Sequence, residues 1–154
     1  DLGVKYKNLF TDSAVTIGIG TITSDKIKLI EITKSSLDLA IEKVKPGNYI
    51  GDIGLAVEDK AKSNNFSVVK VLVGHGVGYA VHEEPNIPNY EEKDRGPQLQ
   101  AGMVLAIEPM LTMGGDKVKL HKDGFGYETV DGSLSAHFEH TVAITRNKPL
   151  VLTK

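Results

Sequence analysis

Cysteine does not occur in this chain. Its absence rules out disulfides and thiolate-type zinc sites, and it leaves the redox compartment without a mark on the sequence. Long apolar runs are missing as well. No stretch approaches the roughly 20 residues of a membrane span, and no signal-peptide pattern opens the chain. Neither sign of charge is in excess, since 18 basic residues face 20 acidic ones for a formal net charge of −2. A protein that binds nucleic acid by neutralising phosphates would carry a clear positive excess, so that class is set aside. Repeats, low-complexity tracts and interdomain linkers are absent too. What remains is ordinary: 154 residues, 40% apolar and 25% charged. That composition suits one domain, residues 1–154, with a sizeable core. A soluble cytoplasmic protein is expected, with no direct contact to nucleic acid or membrane.

The first residues are unusual. Asp1 leads straight into DLGVKYK with no initiator Met and no polar lead-in, as if in mid-strand, so a piece of a longer protein is expected. DLGVKYK and LFTDSAVTIG alternate as two strands around a tight turn at Tyr6-Lys7-Asn8. Ser24 and Asp25 offer an N-cap, and Ile27, Ile30, Leu37, Ile41 and Val44 follow at helical spacing until Pro46-Gly47. A second helix fits Gly51 to Asn64, with Ile53, Val57 and Ala61 on one face. FSVVKVLV is a valine-rich β run. The stretch from Glu84 to Gln100 is polar and holds Pro85, Pro88 and Pro97, which predicts a loop. MVLAIEPML, KVKLHKD, YETV, SAHFEHTVAIT and LVLT predict strands. The class is α+β, with a mostly antiparallel sheet.

Chemistry concentrates in VGHGVGYAVHEEP, Val73 to Pro85. Glycines at 74, 76 and 78 remove Cβ atoms around His75, so backbone can approach closely there. An imidazole in such a segment is a natural metal ligand or proton carrier, although a hydrogen-bonded core histidine is an equal reading. Glu108 in AIEPM and Glu139 in AHFEHT are acids set in apolar strands. Glu139 shares its face with His137 and Thr141, and Glu108 shares its face with Val104, Ala106 and Met110. With a turn centred between Tyr6 and Lys7, Asp1 would sit directly opposite Asp12. Like charges so placed destabilise a sheet, unless a bound cation holds both ionised. Asp1, Asp12, His75, Glu108 and Glu139 therefore form a candidate donor set of four carboxylates and one imidazole. It suits Mn(II), Fe(II) or Co(II), with Zn(II) as an alternative. Four carboxylates exceed the charge of one divalent ion, so two ions sharing bridging carboxylates fit the count better. Glu83-Glu84, Glu91-Glu92 and Lys117, Lys119 and Lys122 are expected on solvated faces.

Together these segments resemble the type I methionine aminopeptidases of metallopeptidase family M24 across essentially the whole chain. The matching stretches are Asp1-Leu2-Gly3-Val4, Thr11-Asp12-Ser13-Ala14, Val44-Lys45-Pro46-Gly47 and Asn65-Phe66-Ser67-Val68-Val69. They continue through Gly74-His75-Gly76-Val77-Gly78, His82-Glu83-Glu84-Pro85, Gly102-Met103, Ile107-Glu108-Pro109-Met110, Ser133-Leu134-Ser135-Ala136 and Glu139-His140-Thr141. The resemblance implies the pita-bread fold and two divalent ions, Co, Mn, Fe or Zn. It implies that Asp12 and Glu139 bridge the ions, that Asp1 completes one site, and that His75 with Glu108 completes the other. It further implies removal of initiator methionine, a metal-bridging water or hydroxide attacking the first peptide bond with Glu108 as proton shuttle. His82 would contact the substrate near the scissile bond, and Val81 and Phe125 would line the methionine pocket. The implied partners are Met-initiated peptides and nascent chains, with a transient ribosome contact and a monomeric full-length protein.

Family members also carry a portion before the first metal-binding Asp, with another substrate-binding histidine and part of the methionine pocket. Residues 1–154 made alone are accordingly expected to be a weak enzyme that self-associates. Xaa-Pro dipeptidases and aminopeptidase P share the fold and a similar ligand set, but His82-Glu83-Glu84-Pro85 and Ile107-Glu108-Pro109-Met110 favour the methionine enzymes. A metal-free pita-bread binding module is the alternative from another class, favoured only if the short chain is the natural product. The five intact ligand positions argue against it.

Overall fold

The computed structural model describes residues 1–154. In chain order the elements are β1 (Val4–Tyr6), β2 (Leu9–Thr11), β3 (Ser13–Ala14), α1 (Ser24–Lys43), α2 (Ile50–Lys62), β4 (Ser67–Val68) and β5 (Gly74–Gly76). They continue with β6 (Glu83–Ile87), β7 (Val104–Ile107), β8 (Met110–Thr112), β9 (Val118–Leu120) and β10 (Tyr127–Thr129). The last three are β11 (Ser135–His137), β12 (Glu139–Ile144) and β13 (Pro149–Val151). A main sheet runs β13-β12-β7-β5-β6 with β3 added beside β12, and a smaller sheet runs β11-β8-β4. Hairpins β1-β2 and β9-β10 stand apart from both. Every strand pairing is antiparallel, so the α+β expectation holds.

Helix α1 starts one residue earlier than its expected cap, on an extended Thr23 that makes no side-chain capping bond. Its buried stripe is Leu29, Thr33, Ser36, Leu37 and Ala40, while Ile27 of the expected face is 43% exposed. The shift is possible because the two hydroxyls satisfy themselves within the helix. Thr33 donates to the Leu29 carbonyl at 2.7 Å and Ser36 to the Thr33 carbonyl at 2.7 Å, so neither is orphaned by burial. Helix α2 buries Ile50, Ile53, Val57 and Ala61. The two helices pack on each other, α1 also covering β8 and β11 and α2 covering β4 and β6. Between helices and sheets lies one apolar core that includes Ile53, Ile87, Leu105, Ile107, Leu111 and Val142.

Three expectations need correction. The first hairpin pairs Val4 with Thr11 and Tyr6 with Leu9, which centres the turn on Lys7-Asn8. Both turn residues have positive φ, 46° and 67°, the backbone of a type I′ turn whose twist matches the flanking strands. Extending that register puts Gly3, not Asp1, opposite Asp12. The β run FSVVKVLV keeps only Ser67–Val68 as strand, and Val71 is 72% exposed. The chain must turn there to carry Gly74–Gly76 from the small sheet into the main one, and a long β run yields to that geometry. The expected loop from Glu84 contains β6, whose Pro85 is tolerated because β6 is the edge strand of its sheet.

Besides the bend between β4 and β5, the chain crosses between the two sheets at two abrupt steps. Strand β7 lies in the main sheet and β8 in the small one, so the chain crosses between them at Glu108-Pro109. Strands β11 and β12 make the reverse crossing at Phe138. Glu108 and Glu139 are thereby both set on the seam between the sheets.

Gly54 in α2 faces the carbonyls of Pro88 and Tyr90, which a Cβ there would strike. Alanine normally stabilises a helix interior by about 1 kcal/mol over glycine. Here the sign should reverse, because two backbone carbonyls must move aside. Gly54→Ala is expected to cost about 1–3 kcal/mol in urea unfolding, as overpacking does. A gain in stability would show that the loop after β6 yields freely.

Asp52 ties the start of α2 to the following loop. Its Oδ2 accepts the Tyr49 backbone N–H at 2.8 Å, and both oxygens accept from Arg95 at 2.7 and 2.8 Å. Partial burial pushes this carboxyl up, but the Arg95 and Tyr49 hydrogen bonds and the Arg95 and Lys43 charges outweigh it, leaving the group below its ordinary range. A lowered folded-state value means the stabilisation is complete above the ordinary carboxylate range and is lost as pH falls through the lowered one. Asp52→Ala should cost about 1 kcal/mol near neutrality, and the gap to wild type should close on acidification. An unchanged gap in acid would rule out the carboxylate charge as its source.

Candidate metal centre

Strand β5 carries His75 in its centre. Gly74 and Gly76 let that strand lie tight between its neighbours, since a Cβ at 74 would meet the Ala106 carbonyl and one at 76 the Glu84 carbonyl. His75 is 6% exposed. Its Nδ1 lies 2.9 Å from the Gly76 carbonyl, and a proton placed there leaves Nε2 free to accept or to ligate. Nε2 is 3.3 Å from Glu108 Oε1. Glu108 is itself anchored by its main chain, with Asn89 Nδ2 donating to its carbonyl at 3.1 Å.

Glu139 opens β12 and is 2% exposed. Its Oε1 is buried and has no hydrogen-bond partner. Burial, then the nearby Glu108 and Asp12 charges, push its carboxyl up to about 8. Asp12, 7% exposed, sits where the chain leaves the first hairpin for β3. Thr141 clamps it, accepting the Asp12 N–H at 2.8 Å and donating its hydroxyl to the Asp12 carbonyl at 2.7 Å. Thr141 is steadied in turn by Thr153, whose hydroxyl accepts the Thr141 N–H at 3.0 Å. Asp1 lies exposed at the foot of the hairpin.

The five acid and imidazole residues named from the sequence come together. Donor atoms of His75, Glu108 and Glu139 lie within 4.8 Å of one another, and so do those of Asp1, Asp12 and Glu139. Glu139 is common to both groups. A third group joins Asp12, His75 and His82. These residues fit a cation: hard carboxylate oxygens and one imidazole converge without thiolate, and a buried carboxylate oxygen is left without a donor. An unpaired buried carboxylate is costly, and a cation among three of them removes both the repulsion and the orphan.

Asp1, His75 and Glu108 line a cavity of about 780 Å³ whose walls also include Val69, Leu72, Met110 and Tyr127. His82 is exposed and sets its ring edge-on to His75, with centroids 4.3 Å apart at 86°. Phe125 stands at the cavity wall on the β9–β10 hairpin, 96% exposed. Val81 is half-buried beside His82 and does not line the cavity. Sequence reasoning assigned no role to His137, whose Nε2 lies 3.5 Å from Glu108 Oε2. The signal was its shared strand face with Glu139. The tertiary crossing that brings Glu108 to it had no local sign.

Comparison with known proteins agrees with this geometry. Residues 1–146 match metallopeptidase family M24. A methionine aminopeptidase of Clostridium perfringens is 48% identical over 99% of this chain and 61% of its own length. Methionine aminopeptidase 1 of Bacillus subtilis is 44% identical over the whole chain and 62% of its length. The chain thus spans about three fifths of these curated relatives. The crystal structure of a Thermotoga maritima methionine aminopeptidase superposes with a TM-score of 0.95 at 43% identity, over 99% of this chain and 61% of that one. A Pyrococcus horikoshii prolidase superposes with a TM-score of 0.78 at 26% identity, over all of this chain and 39% of that one. The architecture is the α+β pita-bread fold these structures share. On a family match over nearly all of its length, the chain belongs to metallopeptidase family M24.

Proposed function

We propose that residues 1–154 belong to a single methionine-aminopeptidase-like catalytic domain, and that the protein carrying it removes the initiator methionine from nascent proteins and peptides. The observation that carries the reading is the buried Glu139 carboxylate, unpartnered at Oε1 and common to two donor groups. The higher identity and TM-score to methionine aminopeptidases than to a prolidase favour methionine over Xaa-Pro substrates. The metals we assign are two divalent ions drawn from Co, Mn, Fe and Zn. Asp12 and Glu139 would hold both, Asp1 would complete one site, and His75 with Glu108 the other. Such ions supply Lewis acidity toward a peptide carbonyl and activate water near neutral pH.

The chain's own groups do the rest. Glu108 faces the cavity and would take the proton of the attacking water and pass it to the departing amine. His82, free at the rim, would hydrogen-bond the substrate beside the scissile bond. Apolar wall residues such as Leu72, Met110 and Phe125 offer a bed for an unbranched thioether side chain, and Val81, off the cavity wall, is given no part in it. Nascent chains as substrates place the work in the cytoplasm with a transient ribosome contact, and the full-length protein would act as a monomer.

Calorimetry and elemental analysis on the full-length protein test this directly. Two Mn(II) or Co(II) ions per chain are expected, the first bound more tightly. Glu139→Ala should weaken both sites, since its carboxylate is common to the two groups. Absence of metal at saturating Mn(II) and Co(II) would sink the proposal.

Proton transfer and substrate contact should separate by mutation. Glu108→Gln should lower turnover of Met-Ala-Ser by more than the roughly 10²–10⁴-fold of a pure acid–base role, because a ligand is altered too. His82→Ala should lower turnover while metal content stays near wild type. Loss of both ions from His82→Ala would make His82 a ligand instead.

A further inference from the structure

Four buried side-chain polar atoms lack hydrogen-bond partners: Asn89 Oδ1, Ser133 Oγ, His137 Nε2 and Glu139 Oε1. Asn89 already spends its amide on the Glu108 carbonyl, and Ser133 lies in the turn that Asp131 caps. Glu139 belongs to the candidate metal centre. His137 is left, a cavity-wall residue to which the reaction above gives no part.

We infer that His137 is a positioning residue that donates its Nε2–H to Glu108 Oε2 and so fixes the orientation of that carboxyl. The inference rests on Glu108 being the proton carrier and ligand proposed above. Glu108 has an imidazole on each oxygen, with His75 Nε2 3.3 Å from Oε1 and His137 Nε2 3.5 Å from Oε2. The His137 separation is a few tenths of an ångström beyond an ordinary N–H···O bond. Such bonds tighten when a catalytic site fills, and Nε2 has no competing partner. The backbone that carries the ring is held at both its N–H and its carbonyl by Thr16. His137 N–H donates to the Thr16 hydroxyl at 2.9 Å, and that hydroxyl donates back to the His137 carbonyl at 2.8 Å. β11 further pairs His137 with Met110, two residues past Glu108 on the other crossing strand. A direct metal-ligand role fits less well, since His137 enters none of the close donor groups.

The test uses the full-length protein with His137→Leu and His137→Gln. Leucine keeps bulk and removes the donor, whereas glutamine keeps an N–H donor of similar reach and no imidazole. His137→Leu should weaken Mn(II) binding, measured by calorimetry, by about 10–100-fold. Its kcat on Met-Ala-Ser should fall by a similar factor, with KM within about twofold because leucine keeps the bulk of that part of the cavity wall. His137→Gln should recover both to within a few-fold. Equal impairment of the two variants would overturn the proposal, because the imidazole itself would then be needed. Wild-type Mn(II) binding in His137→Leu would overturn it as well. Imidazole ¹⁵N spectra of the metal-free protein decide independently of catalysis. A protonated Nε2 on His137, shifted by Glu108→Gln, is expected, and a bare Nε2 or an unmoved resonance refutes the contact. If these spectra behave as expected while Met-Ala-Ser is not cleaved, the contact stands and the assigned substrate is what fails.

Discussion

The site is built around a crowding of acids that cannot all stay ionised by themselves. Asp12, Glu108 and Glu139 are brought together out of water, and Glu139 responds with a carboxyl raised to about 8. A domain selected for stability alone would place apolar residues on this seam, as replacements of buried ionic clusters show. Instead the main chain commits three separate crossings to it. Strand β2 hands over to β3 at Asp12, β7 to β8 at Glu108, and β11 to β12 next to Glu139. Without a cation, protonation of Glu139 is what eases the crowding; a divalent ion would let all three carboxyls stay ionised.

Rigidity around the acids follows from that need. A carboxylate that must wait in an unfavourable place will swing away unless its backbone is pinned, and here the pins are mostly neutral. The Thr141 hydroxyl is both acceptor and donor to Asp12, the Thr153 hydroxyl backs Thr141, and the Asn89 amide holds the Glu108 carbonyl. Hydroxyls and amides fix geometry without adding charge to a site already overloaded with it. The helices contribute from behind. α1 and α2 press one apolar layer against both sheets, so the seam is braced on the side away from the cavity.

What could be read from the sequence divides along the same lines. The helices, the antiparallel class and the donor residues are local or pattern-borne. Acids flanked by apolar strand residues, as at Glu108 and Glu139, and an imidazole between glycines at His75 are visible in a few residues each. Two of the misreadings came where a tertiary demand overruled a local one. The valines after Phe66 have the composition of a strand, yet the chain bends there to deliver His75. Pro85 signals a loop, yet an edge strand has no use for its missing N–H. The first hairpin shows how little separates the two outcomes. A shift of the turn centre to Lys7-Asn8 moves the residue facing Asp12 from Asp1 to Gly3. Asp1 nonetheless comes within reach of Asp12 and Glu139, because the pairing runs on through Leu2 and Ser13 and brings Asp1 toward Ala14, the partner of Glu139.

Glycine at that facing position matters to the chemistry. The nearest atoms to a Cβ at Gly3 would be the two Asp12 carboxylate oxygens, each at 3.8 Å. A larger side chain there would cover those oxygens and deny them to a cation. The same logic governs Gly74 and Gly76 around His75, where side chains would force β5 away from β6 and β7. In both places the omitted side chain does what an added one cannot. It lets donors on different strands lie within 4.8 Å of one another. The glycines beside the donors are therefore part of the site's geometry, and their side-chain-free faces set how closely its acids can converge.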